Sequence, residues 1–481
     1  MGKNRSLMFL GLRYIFGLGI ISLYFIISGL VASDDGQILI GLSAFPVLLV
    51  LIYQQVIKEY EIFTPLNFLW VNLLFGVFLQ SIYFIYLDQG ESKYGLYSLS
   101  NMEELLFASI VITISIVFFL IGYSFRTGRG RAKDYDLFEY FSPKRLRVIS
   151  TVVLAVSLVS LLSYISIFDI SADLARISSK RRIYGESIVG NISHSYLIWG
   201  ASISQTGFLV LYCYRGVLKQ SDSFIPFWMN SYLVIFGVLA LLLPFLNNQR
   251  TPILVFLIST AVLNHYVYKR WSLHRIRVIV ILALVFLVVM GALRYVNGRS
   301  SSVFSYYIEN AGIPHIVTTI AGSGNFLSLG KTSVILSSVP EALDHTYGAT
   351  YGLWLLSPVP RSIWEEKPIV RIGGVLGPAI FNTTTRSGVP PGFVGEVHLN
   401  FGLFGLPMML IILGFGMRFF YERYGKSSSS SWRSALIYSA LYTHIYFNFF
   451  STDFTAVTLG VIKVMLPMLL ILRLSKRYFV R

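Results

Sequence analysis

The chain has 481 residues and is 55% hydrophobic but only 13% charged, with a mean hydropathy of +0.66; a soluble protein carries about 25% charged residues. Its net charge of +16 would suit nucleic acid, but the basic residues fall in short clusters between apolar runs, the positive-inside pattern of a multi-pass membrane protein, so no nucleic-acid partner is expected. The single cysteine, Cys213, lies in an apolar run, which excludes intrachain disulfides and thiolate zinc sites.

About 20 apolar residues are needed to cross the hydrocarbon core. Twelve runs meet this requirement: 8–31, 37–57, 66–87, 104–125, 148–168, 192–214, 229–247, 251–268, 276–296, 399–421, 434–451 and 455–474. The first has no small-residue cleavage pattern and reads as an uncleaved span. Between the seventh and eighth, Asn247-Asn248-Gln249-Arg250 must reverse the chain in a very short turn. The expected fold class is all-α: a polytopic integral membrane protein, one domain over 1–481, with about 12 transmembrane helices and one large external loop containing short helices.

Orientation follows from Lys and Arg. With the N-terminus inside, the inner segments hold 25 of the chain's 39 basic residues, whereas the short outer loops hold one, Lys93, among several acids. Both termini are therefore expected to be cytoplasmic. The basic residues that break the rule point to an external anion site. They are Arg176, Lys180, Arg181 and Arg182 in a basic loop over 169–191, Arg250 at the tight turn, and Arg294, Arg299, Lys331, Arg361, Lys367, Arg371 and Arg386 at the end of the ninth span and in the large loop over 297–398. That large loop is expected to form a lid over the site. Guanidinium forks match phosphate oxygens, and Arg250 precedes Thr251-Pro252 at a helix start, a ready anion cradle.

The most informative stretch is Tyr347 to Gly402. It combines charge, paired prolines and aromatics where a plain connector needs none, and loops of this length in compact proteins are usually functional. Within it, Glu396, His398 and Asn400 fall together, and in a helix Glu396 and Asn400 share one face. A carboxylate at a membrane boundary is costly without a partner or a task. Tyr347, Tyr351, Trp354 and Trp364 could stack on sugar faces, although packing is the commoner use of such rings. The Asp134-Tyr-Asp136 triplet imitates a metal-binding DxD, but its loop is too short for a nucleotide-sugar domain and it reads as a solvated charge cluster. Gly322-Ser-Gly324 lacks the strand and third glycine of a dinucleotide loop, and no HExxH, GxSxG or Walker sequence occurs.

The strings SPVPRSIWEEKP (Ser357–Pro368) and PPGFVGEVHLNFGLFG (Pro390–Gly405), with many spans and one large external loop before the last few, resemble the Wzy-type polymerases of O-antigen and oligosaccharide repeat units of bacteria. The strings lie within a stretch of about fifty residues; elsewhere the likeness is in hydropathy and loop layout. The resemblance implies a metal-independent glycosyltransferase without cofactor, in the bacterial cytoplasmic membrane. It would polymerise undecaprenyl-pyrophosphate-linked oligosaccharides at the outer face, alongside a flippase and a chain-length regulator. Preorganised cations near the leaving diphosphate would stabilise its growing charge. The candidates are Arg176, Arg181, Arg250, Arg294 and Arg361, with Tyr351 and Asn400 as further substrate-binding groups. Glu396 is the first candidate for general base and His398 the second. An O-antigen ligase, a lipid-linked oligosaccharide flippase or transporter, and an envelope scaffold are the alternatives.

Overall fold

The computed structural model describes residues 34–59, 61–86, 101–125, 142–167, 194–246, 250–271, 278, 326–359, 363–381, 388–428 and 431–476. Every regular element among them is helical, with no strand. In chain order these are α1 (Asp34–Val56), α2 (Pro65–Leu73), α3 (Leu79–Tyr86), α4 (Met102–Ser124), α5 (Pro143–Ile167), α6 (His194–Gln220), α7 (Phe227–Leu246), α8 (Arg250–Val267), α9 (Leu329–Ser338), α10 (Gly373–Ile380), α11 (Gly392–Phe420), α12 (Trp432–Leu441) and α13 (Phe454–Leu474). One wide-turned π segment, Leu74–Phe78, joins α2 to α3; others, Tyr421–Gly425 and Tyr442–Phe447, extend α11 and α12.

Among the described residues, eight helices are long and apolar enough to cross a membrane, which makes this a multi-pass membrane protein. Of the four expected runs not among these eight, two are described and fall short. The run 251–268 forms an apolar helix, Thr251–Val267, that is shorter than a full span. The run 434–451 becomes α12 and the π segment that continues it, which together end at Phe447 and are also shorter than a full span. The runs 8–31 and 276–296 lie outside the described residues, apart from Val278, as do the loop 169–191 and the turn Asn247–Gln249.

Helix starts follow local chemistry. Thr64 accepts from Asn67 N with Pro65 at the first position of α2, and Asn101 and Glu104 form a reciprocal capping box at α4. Asp453 caps α13 by accepting from Ala456 N at 2.7 Å. Small residues then let backbones meet. A Cβ on Gly122 of α4 would lie 2.0 Å from Ile411 O, and one on Gly414 of α11 would lie 2.1 Å from Phe119 O. The α4–α11 contact is therefore close-packed, as small residues permit between membrane helices.

Hydrogen bonds between distant segments link ends that the charge count places on the same face. At the inner-assigned end, Arg418 Nη1 meets Glu59 Oε1 at 2.8 Å, Tyr123 donates to Glu59 Oε2, and Arg145 Nη1 donates to Lys476 O. At the other end, Arg371 pairs with Asp453 at 2.9 Å and Tyr196 donates to Pro358 O. Part of the segment expected as an external lid lies inside the bundle: Leu329–Leu336 of α9 are all buried. A Cβ on Gly76, midway between the ends of α2 and α3, would lie 1.7 Å from Leu327 O.

Candidate functional site

The site is built where α11 begins. Gly392 and Gly402 both adopt positive φ, 70° and 65°, so α11 turns in at one glycine and breaks at the other, where ψ is −166°. Only glycine takes that combination readily. Between them, residues 392–400 form a short helical piece buried on all sides.

Glu396 and Asn400 lie four apart on this piece, as the sequence predicts. Glu396 is 1% exposed. Its Oε1 accepts from Thr350 Oγ1 at 2.9 Å, and its Oε2 accepts from Phe454 N, the first residue of α13, at 2.7 Å. The carboxylate thus ties α11, the 346–357 segment and the start of α13 together, and the amide at a helix N-terminus is a favourable partner for it. Asn400 is wholly buried and uses all four of its hydrogen-bonding positions. Its Nδ2 donates to Thr350 Oγ1 and to Glu396 O, both at 2.7 Å. Its Oδ1 accepts from Thr346 Oγ1 at 2.8 Å and Gly348 N at 2.9 Å. That set fixes the amide orientation and leaves no free position for a substrate in this conformation.

Tyr351, the third expected residue, packs rather than reaches out. Its ring stacks on Phe401 and meets Phe454 edge-on, with centroids 6.0 and 5.1 Å away. Its hydroxyl is buried without a partner, and burial, then the nearby Glu396 charge, push it above its ordinary pKa. His398 Nε2 donates to Val339 O at 3.3 Å, which leaves Nδ1, also buried and unpartnered, as the lone-pair nitrogen. Its ring lies edge-on to His345, 5.7 Å between centroids, and His345 Nδ1 donates to Leu399 O. Two buried polar atoms without a partner, one of them the Tyr351 hydroxyl near the Glu396 carboxylate, require an explanation, and a ligand or water is the usual one.

Arg176, Arg181, Arg294 and Arg361 lie outside the described residues, and Arg250 opens α8 with its side chain undescribed. The guanidinium that the structure does place at this end is Arg371, whose side chain is 52% exposed and whose Nε reaches both oxygens of Asp453. Sequence reasoning had no signal for its partner, 82 residues away. Lys367 folds back to donate to Ser357 O and Val359 O, which ties the two described parts of the Ser357–Pro368 string together. Among the described residues, no three His, Cys, Asp or Glu side chains gather as metal ligands would.

The class defined by these elements is a helical, multi-pass membrane protein with a buried polar cluster at one end. No protein-family model, curated protein or solved structure matches the chain.

Proposed function

We propose that the protein is a membrane glycosyltransferase that polymerises undecaprenyl-pyrophosphate-linked oligosaccharide repeat units at the outer face of a bacterial cytoplasmic membrane. The observation that carries this reading is that the segment leading into one resemblance string is hydrogen-bonded to the other: Thr346, Gly348 and Thr350, just before Ser357–Pro368, engage Asn400 and Glu396. The acceptor hydroxyl would lose its proton to Glu396, or to His398 Nδ1, as the new C–O bond forms and undecaprenyl pyrophosphate leaves with its electron pair. The undescribed loop arginines would stabilise the departing charge. A carboxylate this buried serves as a base only when the 346–357 segment moves aside, and the breaks at Gly348 and Gly402 are where such motion would hinge. In this reading both termini are cytoplasmic.

The test is to reconstitute the purified protein with defined lipid-linked repeat units, without divalent metal, and to resolve the products by size. A ladder of lengths is expected. One transfer to a different lipid acceptor would instead make it a ligase. Glu396→Gln should abolish elongation at unchanged protein level; persistence of long chains would remove Glu396 from the base role.

A second reading, transport of a lipid-linked oligosaccharide, is favoured by two lysines, one buried and one half-buried. Lys331 in α9 is 3% exposed and its ammonium donates to Pro390 O alone among the described contacts. Lys463 stands midway along α13. Neither pairs with a carboxylate among the described residues, and unpaired intramembrane charge marks pathways. Movement of labelled substrate across a vesicle bilayer with no new glycosidic bond would favour this reading.

A further inference from the structure

Residues 347–359 and 363–364 carry large apolar side chains that the fold turns outward. Tyr347 is 83% exposed, Leu355 61%, Ile363 78% and Trp364 40%, and the short 3₁₀ helix Leu353–Leu356 buries none of its residues. The first of these stretches is not slack. Thr455 Oγ1 donates to Thr350 O at 3.3 Å, Lys367 clamps Ser357 and Val359, and Tyr196 holds Pro358. Tyr347 even adopts a φ of 46°, a strained value for a bulky residue, and keeps its ring outward. Exposed apolar groups fixed this firmly require a nonaqueous neighbour.

The neighbour is identified by what adjoins the patch. Tyr351 stacks on Phe401, and from there the outer face of α11 continues through Phe404 (97% exposed), Met408 (66%), Ile412 (50%) and Phe415 (41%). Those four recur at helical spacing on one face, in a helix long and apolar enough to span, and so form a lipid-facing stripe. The loop patch therefore continues the lipid-facing surface. Its mixture of Leu, Ile, Trp and Tyr, with Glu365 and Glu366 at one edge, suits the boundary between headgroups and acyl chains, where aromatic side chains concentrate. We infer that residues 347–359 and 363–364 lie in the membrane interface, their partner being the lipid leaflet at that end of the bundle. These described stretches thus seat the Thr350–Glu396 cluster at the membrane surface. This holds whatever chemistry the cluster performs.

Cys213 is wholly buried, so a Cys213→Ala background allows single thiols to be introduced. Leu355→Cys and Ile363→Cys are labelled with an environment-sensitive nitrobenzoxadiazole dye, with Glu341→Cys, in an exposed turn at the same end, as the aqueous control. The proteins are reconstituted singly into nanodiscs of phosphatidylethanolamine and phosphatidylglycerol. The expected result is blue-shifted emission at 355 and 363, quenching by shallow doxyl lipids, and iodide quenching several-fold weaker than at 341. Iodide quenching equal to that at 341, with no effect of doxyl lipid, would overturn the inference and make the segment an aqueous loop. Protection seen only when two copies share a disc would overturn it in favour of a self-association surface.

Discussion

Thr350 donates its hydroxyl to Glu396 across 2.9 Å, and this bond joins a loop residue to a helix residue 46 positions later. The same hydroxyl accepts from Asn400, so Glu396, Thr350 and Asn400 form a closed relay in which each polar atom depends on the next. Such networks are stabilising when complete and costly when broken.

Asn400 is the strictest test of that relay. Asn400→Ala strands its buried partners, at about 1–3 kcal/mol for each group left unpaired. Asn400→Asp keeps the shape but turns an oxygen toward Glu396 O and adds a charge beside the Glu396 carboxylate. The aspartate variant should melt at least as far below wild type as the alanine variant in detergent thermal scans near neutral pH. A near-native melting temperature for Asn400→Asp would show that the network is not closed.

Gly402 separates backbone conformation from packing. At φ 65° and ψ −166°, Gly402→Ala should cost about 1–3 kcal/mol through strain. Gly416, in the same helix with nothing within 4 Å of an added Cβ, gives the opposite expectation. Gly416→Ala should be neutral or gain about 0.5–1 kcal/mol from helix propensity. Thermal melts of the two variants should move in different directions, and equal shifts would mean that the break at Gly402 does not persist in the membrane.

At the other end of the bundle, Arg418 and Glu59 are each 7% exposed and paired at 2.8 Å, with Arg418 Nε also on Glu422. Removing one partner of a buried pair costs about 3–5 kcal/mol because a lone charge remains. Arg418→Met and Glu59→Gln should each lower the melting temperature strongly, and the double variant should lose much less than the sum. Additive losses would mean that the pair is not coupled. Burial raises the Glu59 pKa above 4.5, opposed chiefly by Arg418. The folded state therefore holds this proton more tightly than the unfolded chain, and the contribution of this group to stability falls as pH rises above 4.5.

Lys331 gives a simpler expectation. It is 3% exposed and its ammonium has one carbonyl partner, Pro390 O, among the described contacts, and a buried charge without a counter-charge is costly. Lys331→Met should therefore raise the melting temperature near neutral pH. A clear fall would mean that the ammonium holds Pro390 in place.

Much of the architecture was legible in the residues. The runs at 37–57, 66–87, 104–125, 148–168, 192–214, 229–247, 399–421 and 455–474 all became long helices, because hydropathy over some twenty residues is a local sum. The spacing of Glu396 and Asn400 on one helical face was equally local. The shortening of the helix at 251–268 and the passage into a π turn after Leu441 were not, since both depend on what packs against those segments.

The sequence alone determined that this chain belongs in a bilayer, where its helices fall, and that Tyr347–Gly402 is chemically unlike the rest. Those properties are sums over neighbours in the chain and need no partner. Only the tertiary structure decided that Glu396 is a buried tie between Thr350 and the start of α13, that Arg371 answers to Asp453, and that α9 is packed inside the bundle. Each of these is a contact between residues tens to hundreds of positions apart, and no local pattern encodes which distant donor a buried carboxylate will find.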